Sequence, residues 1–180
     1  MHGVKVPSDA ELPVSVKSKF ADFYKAMFQT AYNSEGKNVA FLEYAWDMGS
    51  CDPCSADPLT SEELQMAGVF WLTPSAPTNV FITRLHVRYT RDKFPEDLMF
   101  QETSNRQFFQ GRYVIRHPFT GDLNKCLAGQ QYQKNLPARF EREAQTLAKL
   151  TGWNVQLEYP GSTQDTTGVP RIIIKQPKKP

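Results

Sequence analysis

Apolar residues recur at three- and four-residue intervals in two long stretches and alternate with polar ones in several shorter runs. The two periods predict helices and strands respectively. Val16, Phe20, Phe23, Met27 and Ala31 form the first helical stripe, widened by Tyr24 and Phe28, while Lys17, Lys19, Asp22 and Lys25 fall off it. This stripe predicts a core-facing helix ending near Asn33–Gly36, where Gly36 suits a left-handed cap. Phe140, Ala144, Leu147, Ala148 and Thr151 form a second stripe. It predicts another helix, led in by Tyr132–Leu136, with Pro137 in the first turn and Gly152 at the end. Thr60-Ser61-Glu62-Glu63 has the form of a capping box opening a short helix through Met66, with Gly68 as its stop.

The strand signals lie between these helices. Residues 38–47 are apolar on both faces, with Val39, Phe41 and Ala45 on one and Ala40, Leu42, Tyr44 and Trp46 on the other, the pattern of a covered strand. Residues 80–90 alternate: Phe81, Leu85, Val87 and Tyr89 share one face, and Arg84, His86 and Arg88 the other. Residues 98–102 predict a short strand. So do residues 108–116, with Phe109, Tyr113 and Ile115 opposite Arg112 and Arg116. A last strand is expected over 153–159. From Pro160 the composition turns polar, which predicts a linker and a basic tail, with room for one short strand at 171–175. Together these readings predict one α+β domain over residues 1–159: a mainly antiparallel sheet with two long helices packed on it. The tail after Pro160 is expected to be dispensable for that fold.

Composition narrows the class. The chain has 180 residues, 40% hydrophobic and 12% aromatic, enough for a core of ordinary size. A net charge of +2 is too slight to argue for nucleic acid. Nothing approaches the ~18 apolar residues of a membrane span, and Met1–Pro7 lacks the apolar core of a signal peptide.

Candidate chemistry centres on the loop after the first long strand. Cys51-Asp52-Pro53-Cys54 holds two of the three cysteines, and Cys126 is distant. A structural disulfide, a metal clamp and a redox pair are all open to such a set. A bridge from Cys51 or Cys54 to Cys126 would close a loop of ~70 residues and stabilise by roughly 4 kcal/mol. Zinc would need further ligands, for which His86 is one source. Arg84, His86, Arg88, Arg112 and Arg116 form a candidate anion site if their strands are neighbours. The plainer expectation is a solvated sheet face neutralised by Glu43, Glu96, Asp97 or Glu102. Glu141 and Glu143 beside Arg139 and Arg142 read as a solvated helix surface. No residue is assigned a catalytic role.

Trp46-Asp47-x-x-x-Cys51-Asp52-Pro53-Cys54, Thr83–Tyr89, Phe94–Leu98, Gly111-Arg112-Tyr113, Cys126 and Leu150–Trp153 together resemble an uncharacterised bacterial family known only as a domain of unknown function. The resemblance runs from about Phe41 to Trp153. It implies exported proteins with a longer upstream region, of which this chain resembles the C-terminal half, and hence a periplasmic or extracellular location with oxidised cysteines. The functional expectation is a non-enzymatic structural or protein-interaction module of a larger assembly. Its partner would be another subunit or a complementary N-terminal half, with no cofactor, nucleic acid or membrane span. The alternative is a metal-binding or thiol-dependent enzyme centred on Cys51, Cys54 and His86.

Overall fold

The computed structural model describes residues 2–36, 38–48, 59–73, 80–88, 104–119, 121–159 and 169–175. In chain order the strands are β1 (His2–Lys5), β2 (Ala10–Leu12), β3 (Val39–Asp47), β4 (Phe81–Val87), β5 (Phe109–Gln110), β6 (Tyr113–Ile115), β7 (Asn154–Glu158) and β8 (Arg171–Lys175). The helices are α1 (Phe20–Ser34), α2 (Ser61–Met66) and α3 (Leu127–Thr151), with 3-10 turns at Val14–Lys19 and Leu123–Lys125. The chain divides into two compact units, each assembled from separated stretches: residues 1–6 with 36–111, and residues 7–35 with 112–180.

The first unit is built on β3. β4 pairs antiparallel along one edge of it, while β1, parallel, and β5, antiparallel, follow one another along the other. Backbone bonds continue this ladder, from Val6 N–H to Leu42 C=O and from Gly111 N–H to Glu43 C=O, both 3.0 Å. Gly111 is required there, because a Cβ would lie 2.9 Å from Val6 Cγ2. The expected sheet is therefore mixed rather than mainly antiparallel. The long helices belong to the other unit.

The register against β4 slips between Leu42 and Tyr44, a β-bulge at Glu43. Phe41 stands opposite His86 and Tyr44 opposite Arg84. Cross-strand partners share a face, and Arg84 and His86, two apart, share theirs. Phe41 and Tyr44 are therefore on the same side, not on opposite sides as strict alternation predicts. Val39, Phe41 and Ala45 are buried, whereas Leu85 is exposed, so the apolar face expected for β4 is not a core face.

α2 carries the capping box read from the sequence. Glu63 N–H donates to Thr60 Oγ1 at 3.2 Å, and Thr60 N–H donates to Glu63 Oε2 at 2.8 Å. Those bonds, the backbone one first, hold the Glu63 carboxyl below its usual range. Gly68 follows the helix at φ +98°, as a stop should.

The second unit holds the two long helices, α1 of 15 residues and α3 of 25, packed on one another. Two small sheets complete it: parallel β2–β6 and antiparallel β7–β8. Leu12, Val16, Phe23, Met27, Leu147 and Trp153 form its core, with Tyr113, Val155 and Ile174 packed against them. The sequence stripes are largely the core stripes. Val16, however, lies in the 3-10 turn before α1, and Phe20 is exposed while its ring still meets Phe23 and Tyr113.

α3 begins at Leu127, well before Pro137, which sits inside the helix rather than in its first turn. The helix start is set upstream, where Cys126 Sγ caps the N-terminus by accepting from Gly129 N–H at 3.3 Å. Gly129 itself is dictated by packing: a Cβ there would collide with the Leu123 carbonyl. The strand expected over residues 108–116 is divided into β5 and β6, which fall in different units and pair with different strands. β8, foreseen as one short strand in a dispensable tail, pairs in full with β7.

Candidate functional site

Each candidate cation of the described residues that has a resolved ion pair finds its carboxylate within its own unit. In the first unit Glu43 bridges two of them. Its Oε2 lies 3.1 Å from Arg84 Nε and its Oε1 lies 2.9 Å from His86 Nδ1. The bulge makes this possible, since the extra residue in β3 brings the carboxylate to the face that Arg84 and His86 share. Glu43 is only 14% exposed while Arg84 is 74% exposed, so the anion is the shielded member. With both oxygens engaged, Glu43 acts as a structural counter-ion and holds the His86 ring through Nδ1. Arg88 follows β4 and is exposed.

Arg112 and Arg116 belong to the second unit. Arg112 Nη2 donates to Asp9 Oδ1 at 2.8 Å, and Arg116 Nε donates to Glu11 Oε1 at 3.0 Å. The β2–β6 pairing places these partners together although they are more than 100 residues apart. Arg112 also anchors the turn before β2: its N–H donates to Ser8 Oγ at 2.9 Å, and its carbonyl accepts from Asp9 N–H at 2.8 Å. Asp9 holds φ +55°, a left-handed conformation that Asp adopts more readily than most residues. The five residues of the candidate anion site thus lie in two units. Of the expected counter-ions, Glu43 serves this role, whereas Glu96, Asp97 and Glu102 lie outside the described residues. Asp9 and Glu11 are not foreseen by sequence reasoning, because nothing local joins them to Arg112 and Arg116.

Cys51 and Cys54 also lie outside the described residues. Cys126 is a free, exposed thiol serving as the cap of α3. No group of three or more His, Cys, Asp or Glu side chains converges among the described residues.

Against the solvated helix surface that the sequence predicts, Glu143 is buried, in ion pair with Arg139 at 3.1 Å. Helical rotation explains this. Leu136, Phe140, Glu143, Leu147 and Thr151 succeed one another at three- and four-residue steps along the buried face. Burial pushes the Glu143 carboxyl up, with Arg139 opposing.

The surface of the first unit carries a feature that charge patterning does not signal. Met66, Phe70 and Trp71, at and just after the end of α2, are 81%, 85% and 49% exposed. The Phe70 and Trp71 rings meet edge to face, 5.1 Å between centroids. Apolar groups this exposed and this close in sequence are what an interaction surface displays. α2 is too short to bury more than Leu64.

With this geometry in hand, comparison with known proteins adds a partial family match. A family model described as an uncharacterized protein conserved in bacteria (DUF2330) matches residues 18–101. It takes in α1, β3, α2 and β4, including Glu43, Arg84, His86 and the Met66–Trp71 segment. Gly111–Tyr113, Cys126 and Leu150–Trp153 fall beyond it. No similar curated protein and no similar solved structure is found. No helix among the described residues is long and apolar enough to cross a membrane.

Proposed function

We propose that this chain is a non-enzymatic protein-interaction module whose contact surface is the Met66, Phe70 and Trp71 tip. The supporting observation is the exposure of those three side chains beside a helix that needs none of them for its own core. Aromatic residues and Met are the types that anchor interfaces. The paired state of Arg84, His86, Arg112 and Arg116 fits a structural role for the cations. An extracytoplasmic location, with Cys51, Cys54 and the exposed Cys126 open to oxidation, belongs to the same proposal and rests on the family resemblance.

The test is a double substitution, Phe70→Ser with Trp71→Ser. Phe70 is largely solvated and Trp71 half-buried, so the cost in stability should stay within about 1–3 kcal/mol, and the fold of the variant is checked first. In native extracts the wild-type chain should elute in a complex of higher mass and the variant at the mass of the free chain. Identical elution of a well-folded variant and wild type would count against the tip as the contact surface.

A further inference from the structure

A groove of about 470 Å³ lies in the second unit between α3 and β7. One wall is a single stripe of α3: Glu141, Ala144, Gln145 and Ala148. These positions are three and four apart and so share a helix face. The other wall is Val155, Gln156 and Leu157, with Tyr159 at one end.

Three consecutive strand residues cannot line a groove with their side chains alone, because side chains alternate between faces. Their burial alternates accordingly, with Val155 and Leu157 half-buried and Gln156 exposed. The groove therefore runs along the edge of β7, where main-chain N–H and C=O groups project. It is the edge away from β8, since no β8 residue lines it and β7 pairs with β8 alone among the described residues. β7 itself has no Pro, no Lys and no bulge, and its one charge, Glu158, stands at its end.

We infer that this groove accepts an extended polypeptide segment of another protein, which adds to β7 as a further strand. The backbone edge supplies hydrogen bonds to any sequence, while alternate side chains of the guest enter the groove. Ala144 and Ala148 leave room on the helix side for β-branched or similar apolar groups. Glu141, an exposed carboxylate and the one charged side chain lining the groove among the described residues, favours a cation at its end of the guest. A slender strand fits between a helix and a strand edge better than a folded surface does. This inference stands on the second unit alone and does not rest on the Met66–Trp71 tip.

The experiment titrates the full isotope-labelled chain with the peptide acetyl-Thr-Val-Lys-Val-Thr-amide and follows amide resonances. Saturable shifts are expected, confined to the 141–148 stretch of α3 and to 154–159. Ala148→Phe, which fills the groove, should abolish them. The exposed Glu141→Lys should weaken binding by up to about fivefold, the effect of one surface ion pair. Both variants are checked for wild-type spectra elsewhere, and Glu141→Lys serves if Ala148→Phe fails to fold. No shifts at millimolar peptide, or shifts elsewhere, overturn the inference. Sedimentation showing a dimer that Ala148→Phe or Glu141→Lys dissociates would also overturn it, assigning the edge to a second copy of the chain.

Discussion

Glu43 and His86 meet across a β-bulge, with Oε1 2.9 Å from Nδ1, at the one point where the β3–β4 register slips. The same carboxylate holds Arg84, so one half-buried anion fixes two side chains of the neighbouring strand. Glu43→Ala leaves the Arg84 guanidinium without its counter-ion and the His86 ring without its anchor at Nδ1. It should destabilise the protein by about 1–2 kcal/mol, the range for a lost charge-assisted bond with one solvated partner. Urea denaturation measures this. A change under about 0.3 kcal/mol would mean that solvent replaces the carboxylate freely.

Phe23 is fully buried, and its ring meets Tyr113 edge to face at 5.1 Å. Phe23→Ala is expected to cost roughly 3–5 kcal/mol, the usual loss for a core aromatic. The Tyr113 hydroxyl donates to the Pro7 carbonyl at 2.7 Å, so the loss should also loosen the entry to β2. Hydrogen exchange at Ala10–Leu12 in the variant reports on that second effect.

Much of the fold is legible locally. The Thr60–Glu63 box, the left-handed Gly36 and Gly152, and the Phe23–Met27 stripe depend on neighbours in sequence, and each appears where the pattern places it. What is not legible depends on distant pairings. The bulge that moves Tyr44 to the face of Phe41 needs the β4 register, and the division of residues 108–116 needs Glu43 and Val6. The partners of Arg112 and Arg116 come from the far end of the chain through the parallel β2–β6 pairing. Glu143 misleads because charged residues surround it in sequence while helix rotation alone decides its burial.

Glu143 gives the protein a pH dependence of defined sign. Its folded-state carboxyl binds a proton more tightly than the unfolded one. Its contribution to stability is therefore complete below the unfolded carboxylate range and declines as pH rises through the raised folded value. Glu143→Gln lacks this titration. Measured against that variant, the wild type should lose relative stability as pH rises from the ordinary carboxylate range through the raised folded-state value. Thermal melts of both proteins across that window check it, and a difference constant with pH contradicts it.

Residues 171–175 are structural. Ile172 and Ile174 are half-buried, and Ile174 packs on the core. Truncation after Tyr159 removes this strand and should lower stability by roughly 2 kcal/mol or more, the worth of burying one to two such side chains. A truncated protein melting like wild type would return the segment to the status of a dispensable tail.

Cys126 caps α3 through its sulfur. A serine hydroxyl is the better acceptor, so Cys126→Ser should preserve or raise stability, while Cys126→Ala should cost about 1 kcal/mol. Equal stability of the two variants would show that the cap contributes nothing.

The interaction reading is tested most directly by photo-crosslinking in the protein's native cells. A photoreactive residue replaces Phe70 in one strain and the exposed Glu62 of α2 in another, and the cells are irradiated. The tip account expects a discrete protein adduct from position 70 and little or none from position 62. A folded chain that yields no adduct at position 70, or equal diffuse labelling at both positions, would contradict it.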